Sequence, residues 1–412
     1  MRLKNIVTKI LFFTKRYFLL FLLIILLVLR FNFYNSPTRN DLNYQTIVTI
    51  SNPLIIDDGT FVLKLNGLNF YSHIPYNYDI GQKLKLSGKR HNNAVYVNSV
   101  EKLPLNFLEK FLVKIKNLLV SKIKQSVLEP FASLLLGMLY GVEPNFSKDF
   151  NDILIRSGVI HVIVVSGYNI TILFSVIGSL IKNMSLKFRF MFCLFVGLTY
   201  SYFVGFEPPV FRALVFGFLL MYGRVLGYVA NIIYLLLITC LVICIISPEV
   251  LFSVSFQLSV LSTLGILLIM PIFEPFIKEK IKYIPKIISE SFFTSFSAQI
   301  MVTPIILYYF KTLSVYSLVT NSLLLWTLPL IMLLSLFYSV LILLNIPLIS
   351  TFVLFLIYLP LSLFVDIITF FAKLPLSSLS ISLNIYMVYL SYFVLLVMIL
   401  FLKKYKFNEK NN

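Results

Sequence analysis

The stretch that decides the fold is residues 156–173, which read Arg156-Ser-Gly-Val-Ile-His161-Val-Ile-Val-Val-Ser166-Gly167-Tyr-Asn169-Ile-Thr-Ile-Leu. Most of these residues are apolar, as in a membrane helix, but His161, Ser166 and Asn169 interrupt the run. A polar group in hydrocarbon costs several kcal/mol unless it has a hydrogen-bond partner or faces water. We therefore expect this end of the helix to face protein or a water-filled cavity.

The composition of the whole chain is typical of a membrane protein. Of its 412 residues, 59% are hydrophobic and only 13% are charged, and the mean hydropathy is +0.91, which excludes an ordinary soluble protein. The 35 basic and 17 acidic residues give a net charge of +18, but basic cytoplasmic loops produce such an excess in any protein with many spans. The three cysteines lie in apolar runs without the spacing of metal ligands, so we expect no metal and no cofactor.

Apolar segments recur along the chain and predict a polytopic α-helical membrane protein with about ten spans. The first is an uncleaved anchor at residues 17–29, preceded by basic residues. The others lie near residues 159–181, 190–206, 208–223, 230–247, 251–273, 287–310, 315–344, 350–372 and 384–402. Lysine and arginine are concentrated in alternate loops and after residue 402. The positive-inside rule therefore predicts that both termini are cytoplasmic.

These segments divide the chain into five predicted parts. They are a basic cytoplasmic segment with the anchor (1–31), an extracytoplasmic β-domain (32–104), an amphipathic interfacial helix with a short part-inserted segment (105–157), the transmembrane domain (158–402) and a basic cytoplasmic tail (403–412). In the third part, lysines alternate with apolar residues at helical spacing. Such a helix either anchors the protein on anionic lipid or guides a DNA strand.

The β-domain is predicted from period-2 alternation within residues 40–104, with turn signals at Asp58-Gly59, Asn66-Gly67 and Asn92-Asn93. The alternating stretches are 46–51, 61–65, 69–72, 83–89 and 94–100. Five short strands in this length predict a small β-barrel of OB type, a fold often used to bind oligonucleotides. Two groups of side chains suit nucleic acid: the basic residues Lys83, Lys85, Lys89 and Arg90, and the tyrosines Tyr71, Tyr76, Tyr78 and Tyr96. The alternative is a solvated strand face with ordinary core tyrosines, because the domain is nearly neutral.

An arginine inside a predicted span is the most costly polar residue in the chain. Arg212 follows Pro208-Pro209, so it lies about one turn from the start of its helix. It either snorkels to the interface and pairs with Glu207, or faces a pore where it attracts phosphate.

Three more polar side chains lie in predicted spans, and the first two have two interpretations each. Gln257 belongs to a stripe with Ser259 that either packs helices tightly or lines a channel. His161 is either a hydrogen-bonded structural histidine or a ligand. Asp366 is a candidate proton-relay carboxylate for which the sequence suggests no partner.

The motifs resemble those of ComEC-type competence proteins, the inner-membrane channels for transforming DNA. Residues 157–170, Ser-Gly-Val-Ile-His-Val-Ile-Val-Val-Ser-Gly-Tyr-Asn-Ile, resemble the family's Thr/Ser-Gly-x-x-His-Leu-Leu-Ala-Ile-Ser-Gly-Leu-His. Further pieces are similar in the same order: Pro209-Val-Phe-Arg212-Ala with Gly223-Arg224, then Ser247-Pro248 with Phe256-Gln257-Leu258-Ser259 and Pro271, then Gln299, Thr303-Pro304, Phe310, Ser314 and Asn321. With the anchor and OB-like domain, the resemblance covers roughly residues 20–345, and several motifs in register are specific.

The resemblance implies a bacterial cytoplasmic (inner) membrane protein through which a single strand of DNA crosses, past His161, Ser166, Gly167, Arg212 and Gln257. Asn169 and Ser259, polar neighbours in the same segments, complete the predicted path. Asn169 stands where the family has a second histidine, which argues against a protonatable group there. The expected partners are single-stranded DNA, membrane lipids, a DNA receptor on the outer side and a cytoplasmic ATP-driven translocase. The metallo-hydrolase-like domain of many relatives is missing after the last span, so nuclease activity is expected to be absent or to belong to a separate protein.

We therefore expect a channel and not an enzyme, but two other classes remain. An intramembrane serine protease would use Ser166, although Val164 stands where a nucleophile motif has glycine. A secondary transporter or a lipid or glycan exporter would use Arg212 and Asp366 as coupling or substrate-binding charges. Transport of a small solute without DNA would favour this second alternative.

Overall fold

The computed structural model describes residues 23–28, 30, 44–50, 54–55, 61–65, 68–72, 81–91, 94–142, 146–163, 166–228, 231–280 and 286–409. Several predicted features lie outside the described residues: the basic N-terminal segment, the turns at 58–59, 66–67 and 92–93, Tyr76, Tyr78 and Val164. The side chains of Arg90 and His161 lie outside the described part as well, although the backbone of each is assigned to an element.

Six strands near the N-terminus form one sheet. They are β1 (Tyr44–Thr49), β2 (Leu54–Ile55), β3 (Phe61–Leu65), β4 (Leu68–Ser72), β5 (Lys83–His91) and β6 (Ala94–Lys102). The sheet has the order β1-β5-β6-β4-β3-β2. The pairing of β4 with β6 is parallel, and the other four are antiparallel. Alternation along β5 buries Leu84 and Leu86 with Phe70 and Val95, and it turns the lysines outward.

The polypeptide continues as helices from residue 107 onward. Residues 23–28 form α1. The others are α2 (Phe107–Ser126), α3 (Phe131–Tyr140), α4 (Lys148–Ser157), α5 (Ile160–Ile163), α6 (Gly167–Leu180), α7 (Leu186–Val204), α8 (Pro208–Val225), α9 (Ile232–Ile246), α10 (Val254–Leu268), α11 (Met270–Lys280), α12 (Lys286–Tyr309), α13 (Ser317–Leu324), α14 (Thr327–Leu343), α15 (Pro347–Lys373) and α16 (Ile385–Glu409). A 3₁₀ helix, Pro248–Phe252, joins α9 to α10. Two short strands, β7 (Thr312–Ser314) and β8 (Ser378–Ser380), pair with each other.

Five of the described helices are long and apolar enough to cross a membrane, or six if the bent pair α13 and α14 is one span. The predicted span at 159–181 is divided into α5 and α6, and the one at 315–344 is bent by 46° between α13 and α14. Polar residues and helix breaks therefore shorten several of the predicted spans. The helical part is that of a membrane protein with interrupted helices.

The main core of the helical part forms around α3. Residues 132–140 of this helix are all buried, and α3 packs with α14, α15 and the start of α6 into one apolar cluster. The segment that the sequence predicts to be part-inserted in the membrane is thus enclosed by protein. Its enclosure fixes the positions of α5 and α6, which carry the polar motif.

Candidate functional site

Arg212, the fifth residue of α8, lies between helices. Its Nε donates a hydrogen bond to Ser259 Oγ on α10 over 2.7 Å, and both side chains are half-buried. The sequence suggested Glu207 as a partner, but Glu207 instead interacts electrostatically with Lys116 of α2. Among the described residues, the hydrogen-bond partner of Arg212 is therefore a neutral hydroxyl on another helix and not the carboxylate of Glu207. The hydrogen bond uses one of the five N–H donors of the guanidinium.

The close packing of α6 on α8 explains why glycine stands at position 167, at the start of α6. A Cβ at this position would lie 2.9 Å from the carbonyl oxygen of Pro209 and 3.0 Å from Ala213 Cβ. A larger residue would therefore push α6 away from α8. The same position is 3.6 Å from Arg212 Nη2, and Ser166 precedes it as the N-cap residue. Ser166, Gly167, Arg212 and Ser259 therefore come together in one seam, which we call the arginine seam.

Asn169 has a different role in the structure. Its Nδ2 donates to the backbone oxygen of Met138 over 2.8 Å. Met138 is in the last turn of α3, where backbone carbonyls lack partners within the helix. Asn169 thus joins α6 to α3 and orients the helix that begins at Gly167.

The polar stripe of α10 does not act as one surface. Gln257 Nε2 donates to the backbone oxygen of Leu251, at the start of the same hairpin, over 3.1 Å. A Cβ at Gly265 would lie 2.3 Å from the carbonyl oxygen of Ser297, so this end of α10 packs directly on α12. Only Ser259 forms a bond across to Arg212. The stripe therefore supports helix packing at one end and contributes to the arginine seam at the other.

A second polar cluster was not among the predicted site residues. Gly158 ends α4 with φ +75°, and a Cβ there would lie 2.4 Å from Ser317 Cβ and 2.8 Å from Ser314 Cβ. Gln299 Nε2 donates to Ser317 Oγ over 2.7 Å, and Ser314 Oγ donates to the backbone oxygen of Arg156 over 2.6 Å. We call this group the serine lock. Gly158, Gln299 and Ser314 had appeared only as isolated matches to a motif, and their separation in sequence hid their proximity.

Lys83, predicted as a DNA contact, forms an ion pair with Glu109 of α2, with 2.6 Å between Nζ and Oε1. The hydrogen bond from Lys83 and then the one from the backbone of Asn106 lower the pKa of Glu109. Glu109 also closes a capping box with Asn106. Lys83 therefore connects the sheet to α2.

Lys85 and Lys89 have different surroundings on the sheet. Lys85 is opposite Glu101 in the register of β5 and β6, and Lys89 is opposite Tyr96. The rings of Tyr71 and Tyr96 are stacked with their centroids 5.8 Å apart, and Tyr96 is 53% exposed. Of the predicted residues that the structure describes, Lys89, Tyr71 and Tyr96 form the group that suits base stacking next to a cation.

Two lysines of α2 point toward the helical part. Lys116 is only 6% exposed, and its Nζ donates to the backbone oxygen of Phe203 over 2.8 Å. Lys122 Nζ donates to Asn345 Oδ1 over 2.8 Å and to the backbone oxygen of Ile342. Both lysines thus cap C-terminal helix ends, of α7 and of α14, where a cation is favourable. These lysines stabilise a protein joint, whereas the sequence suggested contact with lipid or DNA.

Burial changes the pKa values at this joint. Desolvation lowers the pKa of Lys116 to about 8, and the charge of Glu207 opposes that change. Desolvation also raises the pKa of Glu207, against the effect of Lys116. Lys116 contacts the end of α7, and Glu207 is the N-cap residue of α8, five residues before Arg212.

The apolar helices and the polar contacts between them define a helical membrane protein. In the described ranges no group of three His, Cys, Asp or Glu side chains is placed to hold a metal ion. A family model, Competence protein, matches residues 138–406. The chain therefore belongs to the Competence protein family, as its motifs indicated. Neither the curated proteins nor the solved structures contain a significant match to this sequence.

Proposed function

We propose that this protein forms the path by which one strand of DNA crosses the cytoplasmic membrane during natural competence. Membership of the Competence protein family supports a role in DNA uptake. The match includes the arginine seam and the serine lock and begins after the sheet and α2. The proposal therefore rests on the helical part, and the sheet is assigned a contributory role.

The observation that carries this proposal is the bond from Arg212 Nε to Ser259 Oγ. A strand of DNA carries one negative charge per nucleotide, so its route through hydrocarbon needs polar groups and a cation. A single arginine held by a neutral hydroxyl keeps its positive charge available to a phosphate. Carboxylate partners would neutralise that charge. Weak contacts of this kind suit passage, because tight binding at many lysines would stall the strand.

We propose about ten spans, with both termini in the cytoplasm and the sheet outside. The sheet would be an OB barrel if β1 and β2 are halves of one strand. β1 pairs with β5 and β2 pairs with β3, at opposite edges of the sheet. The parallel pairing of β4 with β6 is consistent with that topology. On the outward face of such a barrel, Lys85 and Lys89, with the stacked tyrosines, would contact DNA. Arg90 stays a contact predicted from the sequence alone.

The proposed role is conduction without covalent chemistry. A DNA receptor on the outer side would deliver the strand, a cytoplasmic ATP-driven translocase would pull it, and a separate nuclease would remove the other strand. His161, Ser166, Gly167, Asn169 and Gln257 would line or shape the path together with the arginine seam. We assign no catalytic step to them.

The test is a deletion strain that receives labelled double-stranded DNA. We expect DNA to bind at the cell surface as in the parent strain, while the labelled strand fails to reach a nuclease-protected cytoplasmic state. Normal internalisation in the deletion strain would overturn the proposal. DNA-independent uptake of a small solute by the purified protein in liposomes would favour an exporter or transporter instead.

A further inference from the structure

A groove of about 570 Å³ lies between the sheet and α2. Its polar lining consists of Gln82, Lys102, Lys110, Lys114 and Asn117, and the remaining lining residues are apolar. Three of the nine described lining residues are lysines and none is acidic, so the groove favours an anion. Its volume is in the range of sites that enclose a ligand of drug size.

The two walls of the groove are fixed to each other. Gly81 has φ +92°, and a Cβ there would lie 2.9 Å from Val113 Cγ2, so the backbone of the sheet lies directly against α2. The ion pair between Lys83 and Glu109 joins the same two elements. Gln82 Nε2 donates to the backbone oxygen of Leu103 over 3.2 Å, within the wall of the groove. A site formed in advance binds without the entropic cost of assembling it.

The groove occupies its own face of α2. Lys110, Lys114 and Asn117 follow one another at helical spacing and therefore share that face. The strongly exposed apolar residues Phe107 and Phe111 lie on the neighbouring side of the helix, about a fifth of a turn from the centre of the groove face. If α2 lies on a bilayer, these phenylalanines make the contact with lipid. The groove then opens to the side, toward the sheet and the solvent, which favours a soluble polyanion over a lipid headgroup.

A series of contacts connects α2, which forms one wall of the groove, to the start of α8, which carries Arg212. Asn117 is adjacent to Lys116, whose Nζ holds the end of α7 at Phe203. The next helix, α8, begins at Pro208 and carries Arg212 in its first turns. A strand leaving the groove along α2 therefore arrives at the end of the helical part that contains the arginine seam.

We propose that this groove binds the phosphate backbone of single-stranded DNA through Lys110 and Lys114, with Lys102 on the opposite wall, and hands the strand to the α7–α8 connection. The proposal rests on the proposed function, and it adds a binding site between the sheet and α2. It also assigns the lysines of α2 to two different roles. Lys116 and Lys122 hold the joint, and Lys110 and Lys114 bind the strand.

The test measures binding of a short labelled oligothymidylate to the full-length protein in nanodiscs, at salt concentrations between about 50 and 200 mM. The double variant Lys110→Gln/Lys114→Gln should bind about tenfold more weakly at the lower salt. The slope of log affinity against log salt should become shallower by about 1.4, because each single-strand phosphate contact contributes about 0.7. The matched control Lys124→Gln/Lys148→Gln removes the same charge at two exposed lysines outside the groove. It should keep both the affinity and the slope.

Three results would overturn the groove assignment. They are no DNA binding by the wild-type protein, equal binding by both double variants, and a loss of co-purified phosphatidylglycerol from the groove variant while its DNA affinity is unchanged. The last result would assign the groove to lipid headgroups. If the deletion strain fails to internalise DNA but the groove variant binds DNA normally, only the groove assignment fails. If the deletion strain internalises DNA normally, the proposed function fails as well.

Discussion

The arginine seam and the serine lock are both polar contacts between apolar helices. They differ in charge and in the number of hydrogen bonds that connect their members. In the seam, a guanidinium meets one hydroxyl, Arg212 to Ser259. In the lock, neutral groups are connected in series, because Gln299 donates to Ser317 and Ser317 Oγ donates to the backbone oxygen of Ser314. A satisfied neutral network stabilises a fold, whereas a cation with unused donors is costly to hold. The comparison suggests that the lock serves stability and the seam serves function.

The largest effect is expected from Arg212→Ala. Removing a contact between a charged group and a phosphate costs about 3 kcal/mol, which slows passage about a hundredfold. Internalised DNA should fall by that factor, while the unfolding temperature of the purified protein stays the same or rises, because a costly charge is removed. Arg224→Ala is the control, since Arg224 is exposed at the other end of the same helix. Unfolding of the Arg212→Ala variant with no specific uptake defect would reverse the roles assigned to seam and lock.

Gly158→Ala should have the largest effect on stability. An L-residue at φ +75° costs roughly 1–2 kcal/mol, and the contact with Ser317 and Ser314 adds roughly 1–3 kcal/mol. We expect the free energy of unfolding to fall by about 3 kcal/mol, measured by denaturation in detergent. Gly227→Ala separates the two causes, because Gly227 has φ +77° and nothing within 4 Å of its added Cβ. If both variants lose the same free energy of unfolding, the side chains of the serine lock move aside without cost and only the backbone conformation matters.

Lys116 tests whether a buried charge alone implies function, because it is a buried cation whose Nζ bonds a helix end. Its folded-state pKa, about 8, is below the ordinary value of 10.5. The unfolded chain therefore binds more protons between these two pH values, so stability should rise with pH across that interval. We expect a gain of about 3 kcal/mol in the wild type relative to Lys116→Met, and little change in DNA passage at neutral pH. A flat difference between the two proteins from pH 8 to pH 10.5 would contradict this assignment.

The smallest effects compare the same Gln→Ala substitution in the serine lock and on α10, two residues before Ser259 of the arginine seam. Gln299→Ala removes the bond to Ser317 and should lower the free energy of unfolding by about 1 kcal/mol, with normal DNA passage per folded molecule. Gln257→Ala removes only a bond to the nearby backbone of Leu251 and should reduce passage several-fold with less effect on stability. Thermal denaturation measures the stability of both variants, and the internalisation assay measures DNA passage by both. The opposite pattern would show that Gln299, not Gln257, is on the path.

The elements of the β-region follow from sequence more closely than those of the helical part. The predicted strands at 61–65, 83–89 and 94–100 agree with β3, β5 and β6 to within two residues at each end. Strand ends can be predicted from the local sequence, because the alternation of apolar and polar residues stops where the strand stops. Apolar runs predict helices equally well but do not show where they break. The first turn of α6 is positioned by contacts with α3 and α8, which are distant in sequence.

The partners of the polar residues were beyond prediction from one sequence. Glu207 was the nearby partner considered for Arg212, but the hydrogen-bond partner in the structure is Ser259, 47 residues away. Ser314 donates to the backbone of Arg156 across 158 residues. Lys116 and Lys110 are alike in sequence, yet one is buried against α7 and the other lines the groove. Helical spacing gives the angle between two side chains but not the identity of the neighbour on each face.

The amino-acid sequence was sufficient to show that the protein lies in a membrane, to give the helix and strand periodicities and to indicate the family. These properties depend on composition and on short motifs. The sequence also identified Arg212 and the Ser166-Gly167 pair as exceptional, because polar groups in hydrocarbon are costly wherever they lie. Only the tertiary structure decided that Gly167 lies against α8 beside Arg212, that Ser259 holds the guanidinium, and that α2 is a joint with a basic groove. Those facts depend on which helices touch, and packing brings together residues that the chain keeps far apart.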